Sequence, residues 1–98
     1  MEIYKMLTIN ANHIKRETWY LLAEDHDSLP IPYRKEYMDH LYGFFIPIGD
    51  IYVLEECEDV APDLAECMEF ALDQECEWLC IDVDGEEVSE LPIYKWHG

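Results

Sequence analysis

The first apolar pattern of the chain, from Ile3 to Ile9, has the period of two that is typical of a β-strand. Asn10 and Asn12 follow with side chains that can cap a helix, and apolar residues then recur at helical spacing from His13 to about Asp25. The sequence therefore predicts a strand followed by a helix.

The middle of the chain predicts a β-hairpin. Its strands run from about Ile31 to Tyr37 and from Tyr42 to Ile48, and Pro30 and Pro32 place the first strand at a sheet edge. The next segment, IYVLEE from Ile51, predicts a short extended piece that leads into an acidic loop.

A second helix is predicted from about Val60, because apolar residues recur there at intervals of three and four and Pro62 suits a first helical turn. Its apolar stripe consists of Leu64, Cys67, Met68, Ala71 and Leu72. Residues Trp78 to Val83 alternate again and end in Asp84-Gly85, a tight-turn signal. We expect a last short strand around Ile93 to Trp96.

These elements predict one α+β domain over residues 1–98, a length that can bury a single core. The order β-α-β-β-α-β is the split βαβ arrangement. We therefore expect a two-layer sandwich, with two helices packed on one face of a mainly antiparallel four- or five-stranded sheet. The residues predicted to face the helices are Leu7, Ile9, Leu79, Ile81 and Val83.

The other face of this predicted sheet carries large side chains. The pleat places alternate residues there, and so large an apolar patch favours a protein partner or a second copy of the chain. In the alternative reading, the acidic loop or the C-terminal tail covers the face. The residues expected on it are Tyr4, Met6, Trp78 and Cys80, joined by Tyr94 or Trp96 and by one of Phe44 and Phe45.

Charge narrows the choice of partner. The chain has 6 Lys and Arg against 23 Asp and Glu, a net charge of −17, so its field opposes direct contact with nucleic acid or an anionic membrane. No basic residue lies between Glu36 and Tyr94. Helical carboxylates three or four residues apart lie about 5–6 Å from each other, roughly the spacing of backbone phosphates. The acids expected to form a partner-binding surface are Glu55, Glu56, Glu58, Asp59, Asp63, Glu66, Glu69 and Asp73.

No pattern indicates catalysis, a metal site or a cofactor. The four cysteines lack zinc or redox spacing and are read as free thiols, with a Cys76/Cys80 half-site for a soft metal as the alternative. The acidic run from Glu55 to Asp59 is read as a solvated loop, with weak binding of a divalent cation as the alternative. Asp82 to Glu87 lacks the sixth-position glycine and the later spacing of a twelve-residue calcium loop, so it is interpreted as a hairpin turn. Because these patterns lack catalytic spacing, we expect that the protein is not an enzyme. Because the chain shows no export signal and no membrane span, we expect a cytoplasmic protein.

Three segments resemble a known sequence family: LTINANHI at residues 7–14, YGFFIPI at 42–48 and ECEWLCIDVDGEEVSELPIYKW at 75–96. They resemble an uncharacterised family of small acidic proteins carried by bacterial mobile elements and phages, a domain of unknown function. Gln74 and Glu75 depart from the pattern, which has a glycine where the second helix stops. The resemblance implies a mobile-element context and an anti-restriction or anti-defence role, and it carries over no catalytic residue.

Two functions lead the interpretation of the sequence, and a weak metal-dependent or small-molecule function is the third. The first is an acidic interaction protein, a nucleic-acid mimic that binds and blocks a basic nucleic-acid-binding protein. The alternative is a protein-binding or homodimerisation module that acts through the aromatic sheet face, with the acidity serving solubility only.

Overall fold

The computed structural model describes residues 2–24, 34–38, 41–48 and 51–96. Its elements are β1 (Met6–Asn10), a short 3-10 helix (Ala11–His13), α1 (Arg16–Glu24), β2 (Arg34–Met38), β3 (Leu41–Pro47), α2 (Ile51–Val60), α3 (Pro62–Asp73) and β4 (Trp78–Asp82). The chain therefore combines helices and strands in an α+β fold.

The strands form a mixed sheet in the order β1-β4-β3-β2. β3 pairs antiparallel with both β2 and β4, while β1 pairs parallel with β4. The predicted hairpin is confirmed as β2 and β3, although the first residues expected in it, 31–33, lie outside the described residues.

The predicted layout of two helices on a mainly antiparallel sheet is wrong. The described residues contain three α-helices, and the β1–β4 pair is parallel. The extra helix is α2, which replaces the extended piece and acidic loop expected after Ile51. Leu54, Cys57 and Ala61 recur at helical spacing and pack into the core, so burial outweighs the strand preference of the IYVL segment.

The core lies between one face of the sheet and the helices. Ile9, Ile81 and Phe44 are in register across β1, β4 and β3, and each is at most 1% exposed. All three α-helices contribute to the same buried cluster. Trp19 of α1 packs edge-on against Phe44, with ring centroids 4.6 Å apart. The helices therefore cover the sheet face that the alternation in β1 and β4 predicted.

The predicted start of the first helix, at His13, is wrong. A 3-10 turn occupies Ala11–His13, Ile14 is extended, and α1 begins at Arg16. The Asn10 side chain accepts a hydrogen bond from Asn12 N at 3.0 Å, so it caps the 3-10 turn rather than α1. The amphipathic spacing locates the helix but not its first residue, because the local hydrogen bonds of Asn10 favour a turn.

Helix α3 confirms the predicted second helix and ends without a glycine. Cys76 N donates to Ala71 O and Glu75 N donates to Leu72 O, the two hydrogen bonds of a Schellman motif. Glu75 occupies the left-handed position of the motif, with φ of 61°. The departure at Gln74 and Glu75 therefore leaves the helix end intact and places a non-glycine residue in a conformation that favours glycine.

The predicted turn at Asp84-Gly85 is present, but no strand follows it in residues 83–96. Gly85 N donates to Asp82 O at 3.0 Å, so β4 ends and Val83 turns outward to 40% exposure, against the expectation that it faces the helices. The strand expected at Ile93 to Trp96 is wrong, because Tyr94 N donates to Asn12 O in the 3-10 turn instead of joining a sheet ladder.

Among the described residues, no helix is both long and apolar enough to cross a membrane.

Candidate functional site

Seven of the eight predicted partner-binding acids form an exposed group on two consecutive helices. We call this group the acidic surface, and it consists of Glu55, Glu56, Glu58 and Asp59 on α2 and Glu66, Glu69 and Asp73 on α3. The helices are joined through Ala61 alone, whose NH donates to Cys57 O. Because one residue joins the helices, the carboxylates at the end of α2 are only a few residues from those of α3.

Burial of the opposite sides of α2 and α3 keeps these acids at the surface. Cys57, Leu64 and Met68 are at most 1% exposed, and the acids occupy the positions between such residues. Because like charges three or four residues apart on a helix repel, the acidic surface destabilises its own helices, and the apolar packing beneath offsets that cost.

Asp63, the eighth predicted acid, is 5% exposed and belongs to the interior. Its Oδ2 accepts a hydrogen bond from Lys15 N at 2.7 Å, and its Oδ1 accepts one from Thr18 Oγ1 at 2.9 Å. The carboxylate therefore satisfies donors at the start of α1 while it lies in the first turn of α3, where the helix dipole favours a negative charge. The structure assigns Asp63 a structural role, and the other seven predicted acids stay exposed.

The predicted aromatic face is reduced to its N-terminal part. Tyr4 and Met6 are 62% and 46% exposed, and Met6 is in register with the half-buried Trp78. The Tyr4 hydroxyl donates to Glu2 at 2.6 Å. That hydrogen bond, with smaller effects from desolvation and Glu77, raises the pKa of Tyr4. Tyr4, Met6 and Trp78 remain a candidate contact surface at the start of β1.

Trp96 and Tyr94 lie away from that face. The Trp96 ring stacks at a tilt on Trp19 of the core, with centroids 5.6 Å apart, and its Nε1 donates to Ile14 O at 3.0 Å. The Tyr94 ring lies 5.8 Å from the Lys15 ammonium. Of the two candidate phenylalanines, Phe45 is in register with Cys80, whereas Phe44 is in the core.

All four cysteines are buried free thiols, as the sequence predicted. Burial, with a smaller effect from Asp63, raises the pKa of both Cys57 and Cys67 to about 12. Burial and Asp82 raise the pKa of Cys80 to about 11, against a hydrogen bond from Thr8 that lowers it. Thiolates are the reactive and metal-binding form, so these sites disfavour both chemistries. Within the described residues, no group of three or more His, Cys, Asp or Glu side chains is placed to hold a metal ion.

His13 is a residue whose role the sequence did not reveal. It is fully buried, its Nδ1 lies 2.8 Å from Pro92 O, and its Nε2 accepts from Val88 N at 2.9 Å. Because a carbonyl oxygen can only accept a hydrogen bond, Nδ1 of His13 carries the ring proton and donates it to Pro92 O. His13 thus connects the segment after β4 to the 3-10 turn. The sequence could have revealed this role only if it had predicted that residues 88–92 pack against the turn.

The comparisons with known proteins give a family and no activity. No curated protein and no solved structure matches the chain. The model of a family of unknown function, DUF5983 C-terminal domain, matches residues 6–96. The match covers most of the chain and assigns no role to any residue, so the mobile-element context stays a prediction. This chain belongs to the DUF5983 family of unknown function.

Proposed function

We propose that the protein is a binding module whose acidic surface binds a basic nucleic-acid-binding protein. It would occupy the basic surface on which that protein binds the phosphates of nucleic acid, and so block nucleic-acid binding. The observation that carries the proposal is the exposure of seven carboxylates on α2 and α3, in a stretch with no basic residue between Glu36 and Tyr94. An anti-restriction or anti-defence role is the biological setting that the sequence resemblance favours.

The spacing of the carboxylates supports mimicry of a nucleic-acid strand. Glu66 and Glu69, three residues apart, and Glu69 and Asp73, four apart, occupy neighbouring positions on the surface of α3. Lys and Arg side chains that contact phosphates would meet a similar series of negative charges here. A field of one sign also accelerates association with a partner of the opposite sign.

Capture combined with DNA competition tests this proposal. The purified protein is immobilised, exposed to host lysate at low salt and washed with short duplex DNA, and the released proteins are identified and assayed for DNA binding. We expect duplex DNA and about 0.5 M salt each to release the same basic protein, because both remove the electrostatic attraction. A captured protein that DNA does not displace would contradict mimicry.

A charge-matched pair of variants localises the contact. The first variant neutralises three acids of α3, by Glu66→Gln, Glu69→Gln and Asp73→Asn. The control neutralises three exposed acids elsewhere, Glu2, Glu86 and Glu90. Both variants have the same net charge, so loss of capture with the α3 variant alone would locate the interface on the acidic surface. Equal loss with both variants would show a general charge effect and contradict a specific surface.

A second candidate function, self-association through the start of β1, rests on the exposure of Tyr4 and of Met6, which is in register with Trp78. An apolar contact tolerates salt, so sedimentation of the protein should show a dimer at both low and high ionic strength. The variant Tyr4→Ser with Met6→Ser changes exposed side chains only and should give a monomer. A monomeric wild-type protein under all these conditions would rule out this function.

A further inference from the structure

The tail after β4 forms a groove that neither the acidic surface nor the start of β1 includes. The groove has a volume of about 530 Å³ and lies between the 3-10 turn and residues 93–96. Asn10 ends β1 and Val83 follows β4, so the groove opens at the edge where these two parallel strands end. Its volume is in the range of small-molecule sites, which is about 300–1,000 Å³.

Apolar side chains line this groove and stay exposed. Val83 is 40% exposed and Ile93 is 51% exposed, and Tyr94 and Trp96 line the groove with them. The lining also includes Asn10, Ala11, Asn12 and Lys95. A flat apolar ligand that covered Val83 and Ile93 would remove this apolar surface from water. These two side chains therefore favour a ligand with an apolar body.

Hydrogen bonds hold the groove in shape. The Asn10 amide donates to Gly85 O at 2.8 Å and to Val83 O at 3.3 Å, which fixes the turn after β4 against the end of β1. Tyr94 N donates to Asn12 O at 2.8 Å, and Trp96 Nε1 donates to Ile14 O. A site that is already formed costs a ligand little ordering free energy.

Basic side chains gather beside the groove although the chain as a whole is strongly acidic. A hollow of about 200 Å³ shares Tyr94, Lys95 and Trp96 with the groove, and Lys15 and Arg16 line its other side. Three of the six basic residues of the chain thus meet at this hollow, and Glu17 is an acid among its described lining residues. We call it the basic hollow.

We propose that the groove and the basic hollow bind one small organic anion, a carboxylate or phosphate joined to a flat apolar body. Lys95 lines both cavities and the Lys15 ammonium lies over the Tyr94 ring, so an anion at this boundary meets two positive charges. The apolar body lies against Val83 and Ile93.

Acids also lie near the site, because Glu87 accepts a hydrogen bond from the Asn12 amide of the groove. Desolvation, with smaller effects from Asp63 and Glu66, raises the pKa of Tyr94. The two ammonium groups therefore attract the anion against these carboxylates, and screening by salt with a Debye length of about 8 Å weakens only the charges that lie farther away.

Titration of the ¹⁵N-labelled protein by NMR tests the site with defined probes. The anionic probes are naphthoate and naphthyl phosphate, the neutral probe is naphthalenemethanol, and inorganic phosphate tests the anion alone. We expect both anionic probes to shift amide signals of residues 10–17, 83 and 93–96 and to bind more tightly than the neutral probe. Equal binding of naphthalenemethanol, equal binding of inorganic phosphate, or shifts confined to α2 and α3 would each overturn the proposal.

Charge variants make the result specific. Lys15→Gln and Lys95→Gln should each weaken naphthoate binding about two- to fivefold, the range expected for an exposed ion pair, and leave binding of the neutral probe unchanged. Lys5→Gln is the matched control, because it removes the same charge at a residue whose Nζ donates to Gln74 O, outside both cavities. A Lys5 variant that weakens naphthoate binding as much as the Lys95 variant would refute the site.

Discussion

Replacement of Asp63 by alanine tests the division between structural and exposed acids. The substitution removes both hydrogen-bond acceptors from Lys15 N and Thr18 Oγ1 at the start of α1. A hydrogen bond to a charged group contributes about 1.5–3 kcal/mol, so two of them predict a loss of at least about 3 kcal/mol in the free energy of unfolding. That loss is a large share of the roughly 5–15 kcal/mol by which a domain is stable.

Urea unfolding monitored by circular dichroism measures this loss. In thermal unfolding, the Tm of the variant should be lower than that of the wild-type protein by roughly 12–24 °C for a domain of this size. Glu66→Ala is the matched control, an exposed acid on the same helix whose removal should change stability by less than about 0.5 kcal/mol. Thr18→Val should cost about 1 kcal/mol alone and clearly less when Asp63 is already alanine, because the two residues share one hydrogen bond. An Asp63→Ala variant as stable as Glu66→Ala would refute the reasoning.

Three further predictions follow from the backbone and the thiols. Glu75→Gly should stabilise the protein by about 1 kcal/mol, because φ of 61° is left-handed; Glu75→Ala, which removes the charge but keeps the Cβ, should gain less in the same unfolding assay. Gly85→Ala should destabilise it by more than about 1 kcal/mol, because the added Cβ lies 2.6 Å from the Ile9 carbonyl; unchanged urea unfolding would contradict that contact. Cys57 and Cys67 should resist an aromatic disulfide reagent at pH 8 and react in urea. Because their pKa rises from 9.0 to about 12 on folding, the unfolded chain releases their protons first, and stability should fall as pH rises from about 9 towards 12. Rapid labelling of the folded protein would contradict this.

The candidate site was predictable where exposure follows helical periodicity. The stripe from Leu64 to Leu72 located α3, and the acids Glu66, Glu69 and Asp73 are exposed as expected, whereas Asp63, just before the stripe, is buried. Asp63 carries a carboxylate, as Glu66 does, and has a similar sequence setting. Its burial depends on the position of Lys15 and Thr18, 48 and 45 residues away, which no local pattern encodes.

The aromatic face shows the same limit in the tail. Alternation in β1 and β4 placed Met6 and Trp78 on one face and Ile9 and Ile81 on the other, because side chains in a strand alternate. The sequence predicts Tyr94 or Trp96 on the same face as Trp78. In the structure Trp96 packs on Trp19, since the tail forms no strand and its hydrogen bonds go to the 3-10 turn and to Ile14 O. Pleat geometry carries no information about a residue that lies outside the sheet.

The sequence by itself determined the strong acidity, the free thiols, α3, the β2–β3 hairpin and the alternation of β1 and β4, because each depends on composition or on a short repeating pattern. Only the tertiary structure decided that the segment after Ile51 is a helix, that Asp63 is buried and that the tail closes a groove against the 3-10 turn. Each of these depends on residues distant in sequence. Burial and long-range hydrogen bonds outweigh local preference there, and they exist only once the chain has folded.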